Sequence, residues 1–173
     1  MRPPDPLARP EQLIRRVYAF VAYRIGDGPD AEDVTSEVFV RALRYRASYD
    51  ATKGEPIAWL LGIARRRIAE RAAARRAVPA PIPDAPGPGN LEEETVVRLT
   101  LAAAVAELGE RERELIALRY GSDLTAGQIA GLCGVRTNAV EVALHRALGR
   151  LRAALASEAA GEPAPPSLRD VRA

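Results

Sequence analysis

Between residues 77 and 94 the chain reads AVPAPIPDAPGPGNLEEE, and this stretch limits the possible folds more than any other feature. It holds five prolines and two glycines and has no periodic apolar face. Proline removes a backbone N–H and clashes with the preceding helical turn, so the stretch favours an extended, polyproline-like tether over a helix. The reading is two small domains, at 8–78 and 93–156, joined by a flexible acidic linker at 79–92. A tail at 157–173 ends in the Pro-rich GEPAPPSLRDVRA and is expected to be disordered. At 173 residues the chain has room for such a pair.

Both flanking blocks are helical in composition. Ala, Leu, Arg and Glu dominate, aromatic residues make up only 5%, and β-branched residues are sparse. The fold class is therefore all-α. No apolar run approaches the roughly 20 residues of a membrane span. Pro3, Pro4, Asp5 and Pro6 do not have the layout of a secretion signal, so a cytoplasmic location is expected. One cysteine, Cys133, and one histidine, His145, cannot form a disulfide or a zinc cluster. There is no Gly-rich phosphate loop, nucleophile elbow or zinc-protease helix. No catalytic residue, metal or cofactor is expected. Net charge is only +2, but residues 1–78 carry 15 basic and 10 acidic side chains, and residues 79–95 carry no basic residue and four acidic ones. Two mildly basic blocks thus flank an acidic connector.

Apolar spacing places the helices. Leu13, Ile14, Val17, Phe20, Val21 and Ile25 form one stripe, broken by Gly26, Gly28 and Pro29. Asp30 then suits an N-cap, with Val34, Val38, Phe39, Ala42 and Leu43 inward. A polar loop from about Ser48 to Glu55 leads to Pro56, which fits a helix's first turn. That helix carries Trp59, Leu60, Ile63, Ala64 and Ile68. After the linker, Val96, Leu99, Leu101, Val105 and Leu108 form one helix, and Leu115, Ile116, Leu118 and Tyr120 form another. Two short helices follow, the first opening with a capping box between Thr125 and Gln128.

Three segments suggest binding. LTAGQIAGLCGVRTNAVEVALHRAL has the spacing of a helix-turn-helix: small Ala130 where helices cross, Gly134 at the turn, and apolar Val140 beyond it. Its second helix would present Arg136, Thr137, Asn138, Glu141, Val142, His145 and Arg146 to a DNA groove. A plain helical hairpin would show the same small residues at its crossing. RRRIAERAAARR, with six arginines against one glutamate, suits phosphate contacts, although cations also favour a helix C-terminus. Asp30, Glu32, Asp33 and Glu37 form an acidic face that could meet a basic partner or simply be solvated. Trp59 reads as core, with the option of stacking on a base.

Taken in order, these pieces resemble one family. GDGPDAEDVTSEVFVRAL, YDATKGEPIAWLLGIARRRIAER, LGERERELIALRYGSDLTAGQIAGLCGV and HRALGRLR are similar to segments of the extracytoplasmic-function sigma factors of bacterial RNA polymerase. The similarity covers roughly residues 11 to 155. It implies docking of the first domain on the clamp helices of RNA polymerase core by Asp30, Glu32, Asp33, Glu37 and Phe39. It implies capture of a flipped −10 base around Tyr49, Asp50, Thr52, Lys53 and Trp59, with Arg65 and Arg66 gripping the opening strand. The second domain would sit on the polymerase flap and read the −35 element through Arg136, Thr137, Asn138, Glu141, His145 and Arg146. The partners implied are RNA polymerase core, promoter DNA and an anti-sigma factor.

The chain departs from the family's pattern in two places. Arg66 and Glu70 stand where the family often has Asn and Asp, and Glu141, Val142 and Ala143 stand where it often has Lys-Ser-Arg. An anion in place of cations near phosphates implies weak or unusual −35 reading. Two other functions fit parts of the pattern. One is a sigma-like interaction module that binds polymerase or a regulator without normal −35 reading. The other is a helix-turn-helix repressor with a helical dimerisation domain.

Overall fold

The computed structural model describes residues 5–77 and 93–159, except for the side chains at 76–77, 93–99 and 158–159. The tether at 79–92 and the tail beyond 159 lie outside the described residues. Every regular element among the described residues is helical. The first block contains α1 (Pro10–Ile25), α2 (Pro29–Arg44) and α3 (Pro56–Ala77). The second contains α4 (Glu93–Glu107), α5 (Glu110–Ile116), α6 (Ala126–Cys133) and α7 (Thr137–Ala159).

Local chemistry explains the helix starts. Proline opens α1, α2 and α3, where its missing N–H would be unpaired in any case and its fixed φ is already helical. The expected cap at Asp30 is displaced for this reason. Pro29 takes the first helical position, the cap is Gly28 at φ 122°, and the Asp30 carboxylate is drawn to arginines of α3. The capping box at α6 forms: the Gln128 N–H donates to Thr125 Oγ1 at 3.2 Å, and the Thr125 N–H donates to Gln128 Oε1 at 2.8 Å.

Leu13, Val17, Phe20 and Val21 of α1 are buried against Val34, Val38 and Ala42 of α2 and Leu60, Leu61 and Ala64 of α3. Ile14 and Leu43 were expected inward but are 43% and 60% exposed. Each sits next to a buried residue, and one helical step of about 100° carries it off the buried stripe. Leu101 and Tyr120, also placed on apolar stripes, are 37% and 51% exposed. The side chains of Val96 and Leu99 lie outside the described residues. The second of the two late helices, α7, is much longer than expected and continues through Ala159.

Between α5 and α6 the chain makes a π-helical turn, Ala117–Gly121, that the sequence pattern did not reveal. This turn seats the second block on α1. A Cβ at Gly121 would lie 3.0 Å from the Phe20 backbone nitrogen and 3.1 Å from the Ala19 carbonyl, so any side chain here would press the two backbones apart by a few tenths of an ångström. The fully buried Ser122 donates its hydroxyl to the Arg16 carbonyl at 2.9 Å, and Arg16 Nε donates to the Ser122 carbonyl at 2.7 Å. Arg24 Nη1 donates to the Glu110 carbonyl at 2.8 Å. The two blocks therefore share a continuous core running from Leu13 to Leu151.

Phe20 sits at this junction with no exposed surface. Phe20→Ala should lower unfolding free energy by about 3–5 kcal/mol, as large-to-small changes in a packed core do. Urea unfolding followed by helical circular dichroism measures this, and a loss below about 1 kcal/mol would contradict the packing described.

Candidate nucleic-acid and partner interface

The acidic face of α2 divides into two groups. Asp30 accepts from Arg71 and Arg75, and Glu37 accepts from Arg67. Arg67 also donates to Glu70, which in turn accepts from Arg41 at 3.3 Å. These carboxylates therefore hold α2 against the arginine-rich end of α3. Burial by itself would raise the Asp30 pKa, but hydrogen bonds from Arg71 and then Arg75 outweigh it and hold the carboxyl below 3.8. Glu32 and Asp33 stand exposed, and Phe39 is half-buried at the edge of the core. Val40, which the sequence reading did not single out, and Leu43, which it placed inward, are both on the surface, 57% and 60% exposed. They continue the row through Asp33 and Ser36 at helical spacing, and this periodicity is the signal that could have found them.

The loop between α2 and α3 is shaped by its own side chains. Asp50 accepts from the Thr52 hydroxyl at 2.6 Å and the Thr52 N–H at 3.0 Å, and these bonds keep its pKa low. Lys53 Nζ lies 3.6 Å from Asp50 Oδ2. The Tyr49 hydroxyl donates to the Gly54 carbonyl at 3.0 Å, and its ring lies 5.5 Å from that of Trp59 at a 55° tilt. Burial, then Glu55 and Asp50, push the Tyr49 pKa up. The loop and Trp59 line a cavity of about 510 Å³. The opposite wall comes from the second block, through Leu124, Gln128, Gly131 and Leu132. Gln128 Nε2 reaches Glu55 Oε2 at 3.4 Å across it.

Arg65 and Arg66, neighbours in sequence, have different environments. Arg66 is exposed. Arg65 is held by the second block: its Nε donates to Glu114 Oε1 at 2.6 Å and its Nη1 to the Leu132 carbonyl at 3.2 Å. Cys133 lines the small cavity beside this pair, and burial pushes its thiol pKa up.

The helix-turn-helix has the expected geometry. Gly134 closes α6 in the left-handed region at φ 67°, and Ile129, Ala130, Val140 and Leu144 are buried between α6 and α7. Arg136, just before α7, and Thr137, Asn138, Glu141, His145 and Arg146 along its N-terminal half all lie exposed. The candidate residues therefore gather in three places: the α2 surface, the Tyr49–Trp59 loop and the α7 face. Arg65 is held by the second block and the loop shares a cavity with it, although Asp50, Thr52 and Lys53 stand exposed; the α7 face is open.

Known proteins share these parts in this order. The Sigma-70 region 2 family matches residues 11–78 and the Sigma-70 region 4 family matches residues 98–151. The chain is a sigma factor of the extracytoplasmic-function type. The RNA polymerase sigma factor SigK of Mycobacterium ulcerans is 30% identical over 147 residues, covering 79% of this chain and 78% of that one. ShbA of Streptomyces griseus is 38% identical over 134 residues, 70% of each chain. The fold is similar to that of the sigma factor RpoE in its complex with the anti-sigma factor NepR from Bartonella quintana. That match has a TM-score of 0.69 and 19% identity, over 83% of this chain and 92% of that one. CnrH, in complex with the cytosolic domain of CnrY, matches with a TM-score of 0.56 and 23% identity, over 88% and 86%. This sigma factor directs promoter recognition in transcription and is not an enzyme. Family membership decides against a free-standing repressor. No helix among the described residues is long and apolar enough to cross a membrane.

The Asp30 pairing sets a pH dependence. A carboxyl whose folded pKa is depressed adds stability above its unfolded value, near 3.8, and that stability is lost as pH falls through the lower folded value. An NMR titration should place the Asp30 midpoint below 3.8 and move it upward in Arg71→Ala. A midpoint that ignores Arg71 would contradict the pairing.

Proposed function

We propose that this sigma factor brings polymerase core to promoters through three separate surfaces. Residues 8–78 form the core-binding and −10 domain, 79–92 the tether, and 93–156 the −35 domain. The exposed carboxylates Glu32 and Asp33, with Val40 and Leu43 beside them, dock on the polymerase clamp. Charge steers that encounter and the apolar pair gives it buried area. Asp30 and Glu37 support the surface by fixing α2 on α3. The Tyr49–Lys53 loop and Trp59 receive a flipped −10 base, with Arg65 and Arg66 on the opening strand. The observation that carries the reading is the open face of α7, whose polar and cationic side chains stand on a helix anchored by Val140 and Leu144.

Reading both elements requires the two blocks to separate. The −10 and −35 positions lie roughly 25 base pairs apart by definition, which is about 85 Å at the axial rise of DNA. Here the −10 loop and α6 line one cavity. The tether at 79–92 spans at most about 50 Å when fully extended, enough to let the blocks part while remaining linked. The packed form is therefore the resting one, and core polymerase favours the extended one. An anti-sigma factor is the expected antagonist and would bind the packed form. The cytoplasm, where polymerase and promoters are, is the expected location.

Core polymerase incubated with the chain and a promoter library should initiate at specific sites, and core binding without initiation would leave only the interaction-module function. Glu141→Lys should tighten −35 binding and steepen the salt dependence by about 0.9 for one added phosphate contact; an unchanged slope would remove α7 from the phosphate backbone. Gly121→Ala should enlarge the radius of gyration of the free chain in X-ray scattering while its helical content holds. An unchanged radius would show that the π turn does not hold the blocks together.

A further inference from the structure

The α7 face contains a row of three side chains whose chemistry reads more than phosphate. Asn138, Val142 and Arg146 follow one another at four-residue spacing, which puts them on one side of the helix. Val142 is 42% exposed, an apolar side chain on an otherwise polar surface. A single exposed valine is ordinary. The setting of this one is more specific. Ala139 and Ala143 lie beside it and, with Arg136, Asn138 and Arg146, they line one shallow groove of about 410 Å³. The two alanines let the helix approach a partner closely, and the two arginines flank the apolar centre with positive charge. Nothing from the first block lines this groove, so it is open while the two blocks are packed together.

We propose that Val142 is the specificity-determining residue of −35 reading and that it seats on the C5-methyl group of a thymine. The proposal rests on the assignment of α7 to the −35 element. In the major groove thymine alone presents a methyl group, and an apolar side chain is its natural contact. Four residues of helix rise about 6 Å, a little under two base steps. Asn138 and Arg146 therefore address bases about two steps to either side. The Asn138 amide matches the N6 and N7 edge of adenine, and the Arg146 fork matches O6 and N7 of guanine. Glu141, beside the row, offers only acceptors. It suits the N4 amine of cytosine and is disfavoured against phosphate. The apolar and anionic residues at 141–143 thus exchange phosphate affinity for base selection.

The test uses promoter fragments selected by the full chain with core polymerase from a library randomised at −35. Each thymine of the selected element is replaced singly by deoxyuridine, which removes only the methyl group. One position should lose about fourfold in affinity, the value of burying one methyl-sized group. Val142→Ala should weaken binding to the thymine fragment to a similar degree, abolish the difference between thymine and deoxyuridine there, and leave the salt slope unchanged. Deoxyuridine tolerated at every position would overturn the proposal, as would a difference that persists in Val142→Ala. If scrambling the whole −35 element has no effect on complex formation, the assignment of α7 itself falls and the proposal falls with it. Selection of a −35 element that is insensitive to the methyl group refutes Val142 alone.

Discussion

Helix α1 has apolar partners on two sides, and the arrangement of the whole molecule follows from that. One side, through Val17, Phe20 and Val21, closes the core with α2 and α3. The other accepts the π turn at Ala117–Gly121, where Gly121 lies directly on the Ala19–Phe20 backbone. Backbone cannot yield to a Cβ as a flexible side chain can, so this contact depends on the absence of a side chain at position 121. Around it Arg16 and Ser122 exchange hydrogen bonds with each other's backbone, satisfying polar groups that the contact removes from water. Hydrophobic burial supplies the attraction, and the glycine with its paired polar groups sets where the blocks meet.

Charge has a different role. The pairs of Asp30, Glu37 and Glu70 with Arg41, Arg67, Arg71 and Arg75 are partly exposed, and such pairs contribute little each to stability. Their effect is geometric. They fix the direction of the long arginine side chains and neutralise much of the positive end of α3. They also account for one departure from the family pattern: Glu70 is long enough to bridge Arg67 and Arg41, a position the family often fills with Asp. Arg65 is not part of this group. Glu114 and the Leu132 carbonyl satisfy it across the seam, so the residue expected on promoter DNA already has a partner in the packed form.

The candidate surfaces of the two blocks thus have different surroundings in the same structure. The Tyr49–Trp59 loop shares a cavity with α6, while the α7 face meets solvent. The shared core and the Arg65–Glu114 pair are what join the two blocks here.

Much of this was legible in the chain. Proline at 10, 29 and 56 marked three helix starts, the Thr125–Gln128 box marked a fourth, and the Ala130, Gly134 and Val140 spacing gave the helix-turn-helix, because each is a local rule involving residues within a few positions. Phe39, Leu43 and Ile14 were harder, because periodicity gives the direction of a stripe but its width depends on the neighbours that cover it. The partners of Asp30, Glu37 and Arg65 were beyond reach, since they lie 30 to 67 residues away along the chain. The sequence by itself determined seven helices in two groups, the helix-turn-helix and the family. Only the tertiary structure decided that the groups share a core, because that depends on one glycine meeting a backbone about a hundred residues earlier, a contact that no local pattern encodes.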